Sequence, residues 1–322
     1  MMDALGNSES SPHSTQKSRE AARCTTKTTE KDLAPLAACR LCPRRCGINR
    51  LDGFCGAGRY ASVALVSLHA WEEPCLAGEK GAGTVFFSGC NMRCAFCQNH
   101  EISRENFGIT VTEERLAEIF LEQEVRGATT LDLVTPTHFA PQIACALHFA
   151  KAQGLSIPVV YNSSAYESRE TIESLAGLVD IFLPDLKYMD EETARRYSAA
   201  PDYFQTASAA IRCMRAIAGT PIFDEAGRMT RGVLVRHLVL PVHRKESMRF
   251  LDWLWQTFAD TIYISIMNQY TPMGDLREVP ELNRRLTTFE YESVLDHART
   301  LGIENCYIQK GGTVSASFVP HF

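Results

Sequence analysis

Residues 84–97 read Thr-Val-Phe-Phe-Ser-Gly-Cys-Asn-Met-Arg-Cys-Ala-Phe-Cys, and this stretch is the most informative of the chain. A β-branched and aromatic run leads through Gly89 into Cys90, Cys94 and Cys97, spaced C-x3-C-x2-C. Three thiolates are one short of the set that a four-iron cluster needs, which leaves one iron open to bind and reduce a substrate. Buried thiols or a zinc site are the alternatives, but zinc sites usually pair C-x2-C units and close with four ligands. The spacing therefore favours a [4Fe-4S] cluster.

Outward from this stretch the chain alternates strands and helices. Predicted strands are Ala61–Leu68, Thr84–Ser88, Thr130–Val134, Ile157–Tyr161, Ile181–Leu183, Gly232–Leu240, Thr261–Ile266 and an edge strand within 303–308. Predicted helices are Glu113–Glu124, Pro141–Gln153, Ser168–Leu178, Tyr203–Ala218, Lys245–Phe258 and Phe289–Leu301. Several strands are continuous apolar runs, which is typical of parallel strands buried on both faces. Six β-α units in series predict a parallel α/β sheet, either an open or partial barrel or a doubly wound layer.

The chain divides into three predicted parts. Residues 1–32 are rich in Ser, Thr, Lys and Glu and predict a disordered tail. Residues 33–60 form a Cys-rich metal-binding segment without helix or strand periodicity. Residues 61–322 form the α/β domain that contains the cysteine motif.

Composition excludes few functional classes of protein, but it indicates the cellular compartment. The net charge of -5 over 322 residues gives no reason to expect a nucleic-acid or membrane partner. No apolar segment resembles a signal peptide, and no apolar run reaches membrane-spanning length. We therefore expect a cytoplasmic protein, in which the twelve cysteines stay reduced and favour metal over disulfides.

A second cysteine set precedes the predicted domain. Cys39, Cys42, Cys46 and Cys55, here called the amino-terminal cysteines, lie in the pattern C-x2-C-P-x2-C-x8-C. Four thiolates make a closed site, either zinc or an auxiliary iron–sulfur cluster, with a structural or electron-relaying role. Nearby arginines offset the thiolate charge; they are Arg40, Arg44 and Arg45.

The motif around Cys90 resembles the signature of radical SAM enzymes, C-x3-C-x-(aromatic)-C after a strand, with Phe96 in the aromatic place. Other stretches resemble the branch that contains the activating enzymes of pyruvate formate-lyase, and within it an uncharacterised subgroup, over about residues 38–320. These stretches are Gly89–Ser103, Val134–His138, Val160–Asn162, Leu183–Lys187 and Val235–Pro241.

The resemblance implies a partial (β/α)6 barrel of the TIM type with a [4Fe-4S] cluster on Cys90, Cys94 and Cys97. S-adenosylmethionine (SAM) would chelate the open iron through its amino and carboxylate groups. Reductive cleavage of its sulfonium would give a 5'-deoxyadenosyl radical that abstracts hydrogen from a substrate. The implied partners are an electron donor such as flavodoxin or ferredoxin, and a glycyl radical enzyme or another protein substrate.

The resemblance also implies SAM contacts at the ends of the strands. Phe96 would support the adenine, and Asp185 would lie in the SAM pocket, with a local ion pair to Lys187 as the alternative. Thr135 falls where the family usually carries a Gly-Gly-Glu turn that binds the SAM amine. That turn is absent here, and Thr135 and Thr137 offer hydroxyls and carbonyls to the ammonium instead. The alternative is that Thr137 is the N-cap of the helix that follows.

Asn162 and Arg236 are further candidates at strand ends. Asn162 offers hydrogen bonds to the SAM ribose or carboxylate. Arg236 lies in an otherwise apolar strand, where a buried charge needs a partner, and guanidinium grips a carboxylate such as that of SAM with two hydrogen bonds. The carboxylates Glu72 and Glu73 beside Trp71 either serve acid–base chemistry or lie in a solvated loop.

The leading hypothesis is therefore an oxidoreductase-type radical SAM enzyme whose substrate the sequence does not name. A non-catalytic iron–sulfur electron-transfer or metal-binding protein is the second hypothesis. A third keeps the same cofactors but places the radical on a small molecule or peptide instead of a glycyl radical enzyme.

Overall fold

The computed structural model describes residues 38–309. The predicted tail at residues 1–32, the start of the Cys-rich segment and the end of the chain lie outside the described residues. From residue 38 to residue 60 the one regular element is a 3-10 turn, Arg50–Asp52. This agrees with the lack of periodicity in that segment.

The centre of the fold is a mostly parallel sheet. Its strands are β1 (Ala61–His69), β2 (Ala82–Phe87), β3 (Ile109–Val111), β4 (Leu131–Val134), β5 (Val159–Ser163), β6 (Ile181–Pro184), β7 (Ile222–Phe223), β8 (Met229–Leu238), β9 (Tyr263–Met267) and β10 (Cys306–Ile308). The order is β10-β9-β8-β6-β5-β4-β2-β1-β3, with β7 paired to β8. Pairing is parallel from β2 to β10 along this order, whereas β1 runs antiparallel to β2 and β3.

The parallel strands lie side by side in chain order, which is the arrangement of a barrel. A doubly wound sheet would reverse direction at a switch point, and this one does not along the described strands. The two ends of the strand order, β10 and β3, are not joined to each other, so the barrel is open. The predicted partial α/β barrel is confirmed, and the doubly wound alternative is wrong.

Helices connect the strands. They are α1 (Pro74–Ala77), α2 (His100–Arg104), α3 (Glu113–Val125), α4 (Ala140–Ala152), α5 (Arg169–Ser174), α6 (Glu191–Ser198), α7 (Tyr203–Ala218), α8 (Arg244–Phe258) and α9 (Thr288–Leu301). The larger helices pack on the outer face of the sheet because they carry apolar stripes. In α7 the buried side chains include Ala207, Ile211 and Met214, at spacings of three and four. The main core lies between these stripes and the outward side chains of the strands.

The inner face of the barrel is layered. Short α1 enters the barrel from β1 and buries Cys75 and Leu76 against Val160, Ile181 and Leu234, which fills one end. A second apolar group, Phe86, Val134 and Ile102, lies apart from it. The chain that leads into α1 carries Glu72 and Glu73, so these carboxylates are drawn inward. The solvated loop that the sequence allowed for them is therefore wrong.

The predicted helices and parallel strands are all present, with shifts of a few residues at their ends. The range of α7 is the predicted one, whereas α5 is shorter and ends at Ser174. Five short elements were not predicted: α1, α2, α6, β3 and β7. Of these, α6 has a readable signal, because Asp190 caps it through Thr193 N while acidic residues begin it and arginines end it.

Candidate active site

The three cysteines of the motif lie in the loop that follows β2, at the carboxyl end of a parallel strand. Gly89 starts this loop with a φ of +82°, and a Cβ built there would lie 2.8 Å from the Cys55 carbonyl oxygen. Glycine is required because a side chain has no room and the backbone is left-handed. The sequence therefore turns at Gly89 and presents Cys90 directly after it.

Hydrogen-bond donors surround the sulfur atoms. The backbone N–H of Met92 donates to Cys90 Sγ at 3.4 Å, and Ser198 Oγ donates to Cys94 Sγ at 3.0 Å. Ser103 Oγ lies 3.5 Å from Cys97 Sγ. Donors to cluster thiolates help to set the reduction potential, so each cysteine has a tuning contact of its own.

Helix α6 holds the loop in place. The N–H groups of Arg93 and Ala95 donate to the carbonyls of Ser198 and Tyr197, at 3.2 Å and 2.8 Å. The Ser198 hydroxyl is fully buried and is also 2.7 Å from the Tyr188 hydroxyl. Sequence reasoning missed Ser198, since a serine 101 positions beyond Cys97 carries no motif.

Burial disfavours the thiolate forms of Cys90 and Cys97. Burial raises the pKa of Cys90 to about 12, and the sulfur atoms of Cys94 and Cys97 add to the rise. Burial and Cys94 also raise the pKa of Cys97. The charge of Lys187 opposes both rises in pKa. Thiolates at this site need added positive charge, and iron supplies it, so the donor set fits a cluster.

A buried polar layer crosses the middle of the barrel, and we give this name to Glu72, Glu73, Asp132, Asn162, Asp185 and Arg236. Arg236 is at its centre. Its Nε donates to Asp185 Oδ1 and its Nη1 to Glu72 Oε1, both at 2.8 Å. Its Nη2 donates to Asn162 Oδ1 at 2.7 Å.

The prediction that Arg236 needs a partner is thus met by the protein itself. The SAM carboxylate is not required for this, since all three guanidinium nitrogens bind protein oxygens. Asp185 also accepts from Lys187 Nζ at 2.7 Å, the ion pair that the sequence offered as the alternative. Contact of Arg236, Asp185 or Asn162 with SAM stays a prediction.

Two carboxyl groups of the buried polar layer have raised pKa values. Burial raises the pKa of Glu73 to about 7, although Arg236 opposes the rise. Burial, with the charge of Glu72, raises the pKa of Asp132 well above its usual range. Asp185 behaves differently: burial raises its pKa, but Arg236 and Lys187 outweigh this and hold it below its usual value. The layer therefore combines two carboxyl groups of raised pKa with the ion pair between Arg236 and Asp185.

Thr135 lies at the end of β4 in a strained conformation. Its φ is +60°, a region that a β-branched residue rarely adopts, and its N–H donates to the Asn162 carbonyl at 2.9 Å. The chain thus makes a left-handed turn at this point without glycine. The alternative role of Thr137 as a helix cap is not supported, because within the described residues no side-chain capping hydrogen bond is present at the start of the helix that follows. Thr137 Oγ1 donates to Glu167 Oε1 at 2.6 Å.

Phe96 is nearly buried and meets the Tyr270 ring edge-on at a centroid distance of 5.6 Å. Tyr270 follows β9 and donates to the Leu282 carbonyl at 2.8 Å. The ring therefore connects the cysteine loop to the far side of the barrel opening. Its role beneath the adenine stays a prediction.

The amino-terminal cysteines line one small cavity next to the barrel, together with Arg44, Arg50, Asn91 and His138. The four cysteines, all between residues 39 and 55, therefore lie around the same space. Burial raises the pKa of Cys42 to about 12 and also raises that of Cys55, so these two thiols need a cation in order to ionise. Across residues 38–309, no three His, Cys, Asp or Glu side chains already stand as ligands around a single ion.

Sequence comparisons identify the family. A model of the radical SAM superfamily matches residues 84–243, from β2 to the loop after β8. An uncharacterised protein of Methanocaldococcus jannaschii, MJ0674, is 30% identical over 281 residues, 84% of this chain and 76% of that protein. This chain belongs to the radical SAM superfamily. Radical SAM enzymes use a [4Fe-4S] cluster and SAM, which agrees with the thiol set after β2.

Three solved structures are similar to this chain at low sequence identity. SuiB of Streptococcus suis bound to S-adenosylmethionine matches with a TM-score of 0.45 and 16% identity, over 70% of this chain and 48% of SuiB. A radical SAM methyltransferase from Sphaerobacter thermophilus gives 0.48 and 12%, over 71% and 66%. Methylornithine synthase (PylB) gives 0.44 and 14%, over 92% and 88%. This chain spans about half the length of SuiB.

None of the helices between residues 38 and 309 combines the length and the apolar character that crossing a bilayer requires.

Proposed function

We propose that this radical SAM enzyme cleaves SAM reductively and uses the 5'-deoxyadenosyl radical to abstract hydrogen from a substrate. The observation that carries the proposal is the loop after β2, in which Cys90, Cys94 and Cys97 each have a separate hydrogen-bond donor. When bound, the cluster supplies the electron that breaks the sulfonium bond. Cys90, Cys94 and Cys97 hold it, and Lys187 offsets the charge of the sulfur atoms.

The chain's other residues bind and orient SAM in this proposal. The left-handed turn at Thr135 and the amide of Asn162 lie at the ends of neighbouring strands β4 and β5. Arg236 and Asp185 hold each other, so their role is to fix Asn162 and the interior charge rather than to grip SAM alone. Phe96 closes the side of the site toward Tyr270.

The test is formation of 5'-deoxyadenosine. Protein reconstituted with iron and sulfide without oxygen, then reduced with dithionite in the presence of SAM, should release this product on chromatography. Cys94→Ala should release none, and Cys213→Ala, on the outer helix α7, should match the wild type. Wild-type protein that carries the full cluster yet yields no 5'-deoxyadenosine overturns the proposal.

The electron-transfer hypothesis makes a different prediction for the same sample. A relay without catalysis should show an EPR signal of the reduced cluster that SAM does not change. A radical SAM enzyme should show a changed signal, because SAM binds the open iron. The polar groups at successive strand ends support the enzyme, since a relay has no need of them.

We propose the glycine of a glycyl radical enzyme as the substrate, with flavodoxin or ferredoxin as the electron donor in the cytoplasm. The resemblance of the strand-end motifs to activating enzymes supports the substrate. The eleven cysteines of residues 38–309 form no disulfides, which is in keeping with the proposed compartment. Incubation with a candidate glycyl radical enzyme should produce a glycyl EPR signal. Turnover only with a small molecule or peptide would favour the third hypothesis.

The amino-terminal cysteines are the second metal site of this proposal, filled with zinc or an iron–sulfur cluster. Their shared cavity supports it, because the four thiols line the same space as the buried Arg50. Burial raises the pKa values of Cys42 and Cys55 among them.

A further inference from the structure

Arg50 is buried beside the amino-terminal cysteines, and not all of its guanidinium nitrogens have hydrogen-bond partners in the described part of the chain. Its side chain is 2% exposed, and Nη2 donates to the His138 carbonyl. Its Nε and Nη1 atoms have no hydrogen-bond partner among the described residues. A buried guanidinium with two unpaired nitrogens is strongly unfavourable unless negative charge lies close by.

The cavity has a source of that charge. The pKa of Arg50 is lowered by burial and raised again by the sulfur atoms of Cys55, Cys39 and Cys42, which places them within electrostatic reach of the guanidinium. Both Zn²⁺ and an oxidised [4Fe-4S] core, bound by four thiolates, carry a net charge of about -2. Either centre would satisfy a buried cation that the protein leaves unpaired.

Arg44 is a second arginine at this cavity that has a buried nitrogen without a hydrogen-bond partner in the part of the chain that the structure describes. Arg44 lines the cavity, and its Nη2 is buried without a partner within residues 38–309. Its Nε donates to the Asn91 carbonyl at 2.8 Å, and its guanidinium lies 3.9 Å from the centroid of the Phe54 ring. It therefore faces the cavity on one side and holds the loop between Cys90 and Cys94 on the other.

Arg50 also reaches the catalytic loop in two steps. The His138 carbonyl accepts from Arg50, and the His138 Nε2–H donates to the Ser88 carbonyl at 2.6 Å. Ser88 and Gly89 lead into Cys90, and Gly89 approaches the Cys55 carbonyl closely. These hydrogen bonds thus connect the charge in the cavity to the backbone that starts the catalytic loop.

We propose that Arg50 is the buried counter-ion of a metal centre on the amino-terminal cysteines, and that this centre positions the loop that carries Cys90. The inference rests on the second metal site of the proposed function. Arg50 is a positioning residue, because it acts through the thiolate centre and the His138 carbonyl. Cleavage of SAM is not needed for it to be tested.

The first experiment counts metal. Full-length protein, purified without oxygen, should contain either one zinc per chain or iron and sulfide for a second cluster, beyond the iron of the catalytic site. The double variant Cys42→Ser with Cys55→Ser should lose that additional metal and keep the catalytic iron, and Cys213→Ser should lose neither. Equal metal content in the double variant and the wild type overturns the inference.

The second experiment tests the counter-ion. Arg50→Met should lose the second centre's metal to a chelator about ten-fold faster than wild type, as expected on removal of an outer-shell partner. Arg50→Lys should lie between them, since it restores charge without the two N–H groups. Arg169→Met, at an exposed ion pair, should match the wild type. Circular dichroism checks that each variant is folded.

The outcomes are separable from those of the proposed function. If folded Arg50→Met releases metal at the wild-type rate, with an unchanged absorption or EPR spectrum, Arg50 is not the counter-ion. If metal release behaves as expected but the wild type forms no 5'-deoxyadenosine, the proposed function fails while this inference stands.

Discussion

The hydroxyl of Ser198 donates a hydrogen bond of 3.0 Å to the sulfur of Cys94, which ties the last residue of α6 to the cluster loop. Ser198 is fully buried, so water cannot replace it as a donor. The contact shows that a helix of eight residues, absent from the sequence prediction, supplies part of the environment of the catalytic sulfurs.

Removal of this donor should lower the reduction potential of the cluster. The reduced cluster carries more negative charge on its sulfurs, so a hydrogen bond favours it, and Ser198→Ala forfeits about 1 kcal/mol of that preference. For a one-electron couple this corresponds to a fall of about 40 mV. A redox titration followed by EPR measures it, with Ser208→Ala on α7 as the control. An unchanged potential would show that the hydroxyl does not act on Cys94.

Substitution of Arg236 should strongly destabilise the barrel. Arg236→Met leaves Glu72 buried without its cation and Asp185 with Lys187 alone, which costs about 3–5 kcal/mol in the free energy of unfolding. Arg228→Met removes an exposed ion pair with Asp224 and should cost less than about 1 kcal/mol. Urea unfolding measures both. Similar losses in the two variants would contradict the central role of Arg236.

Glu73 should make stability depend on pH. Its folded-state pKa of about 7 is above the ordinary value of 4.5, so the folded protein holds a proton that the unfolded chain has lost. The free energy of unfolding therefore falls as pH rises from about 4.5 to about 7, by up to about 3 kcal/mol for this group.

Glu73→Gln removes that titration and should be more stable than wild type near pH 8, with a smaller difference near pH 5. Urea unfolding at a series of pH values gives the two curves. Curves that run parallel across this range would show that Glu73 does not titrate there.

Thr135→Gly should relieve backbone strain at the end of β4. A β-branched residue at a φ of +60° is strained, so the variant should gain about 1 kcal/mol in stability. SAM affinity should fall if the hydroxyl contacts the ammonium. Val242→Gly is the matched control, because Val242 has a φ of +65° and is exposed.

Both variants should raise the urea midpoint, whereas only Thr135→Gly should weaken SAM binding in equilibrium dialysis. A loss of stability at position 135 would mean that Thr135 makes contacts worth more than its strain.

Local sequence patterns predicted those helices and strands whose apolar residues repeat at a clear period. Tyr203–Ala218 was predicted at its full length because its apolar residues repeat at helical spacing. By contrast, the buried residues of α6 are Ala194, Tyr197 and Ser198, and only Tyr197 is large and apolar, which is too little to show a period. The inward course of Glu72 was equally hidden, since α1 is four residues long and is held by contacts with distant strands.

The cofactor chemistry and the main β-α units could be predicted from the amino-acid sequence alone. Both follow from residues that are neighbours in the chain: a three-cysteine spacing after a strand, and apolar periods repeated unit by unit. Which charges meet became visible in the folded chain, because Arg236 lies 51 residues from Asp185 and 164 from Glu72. Closing such distances depends on how the strands curve and pack, and that geometry is a property of the whole core rather than of any short stretch.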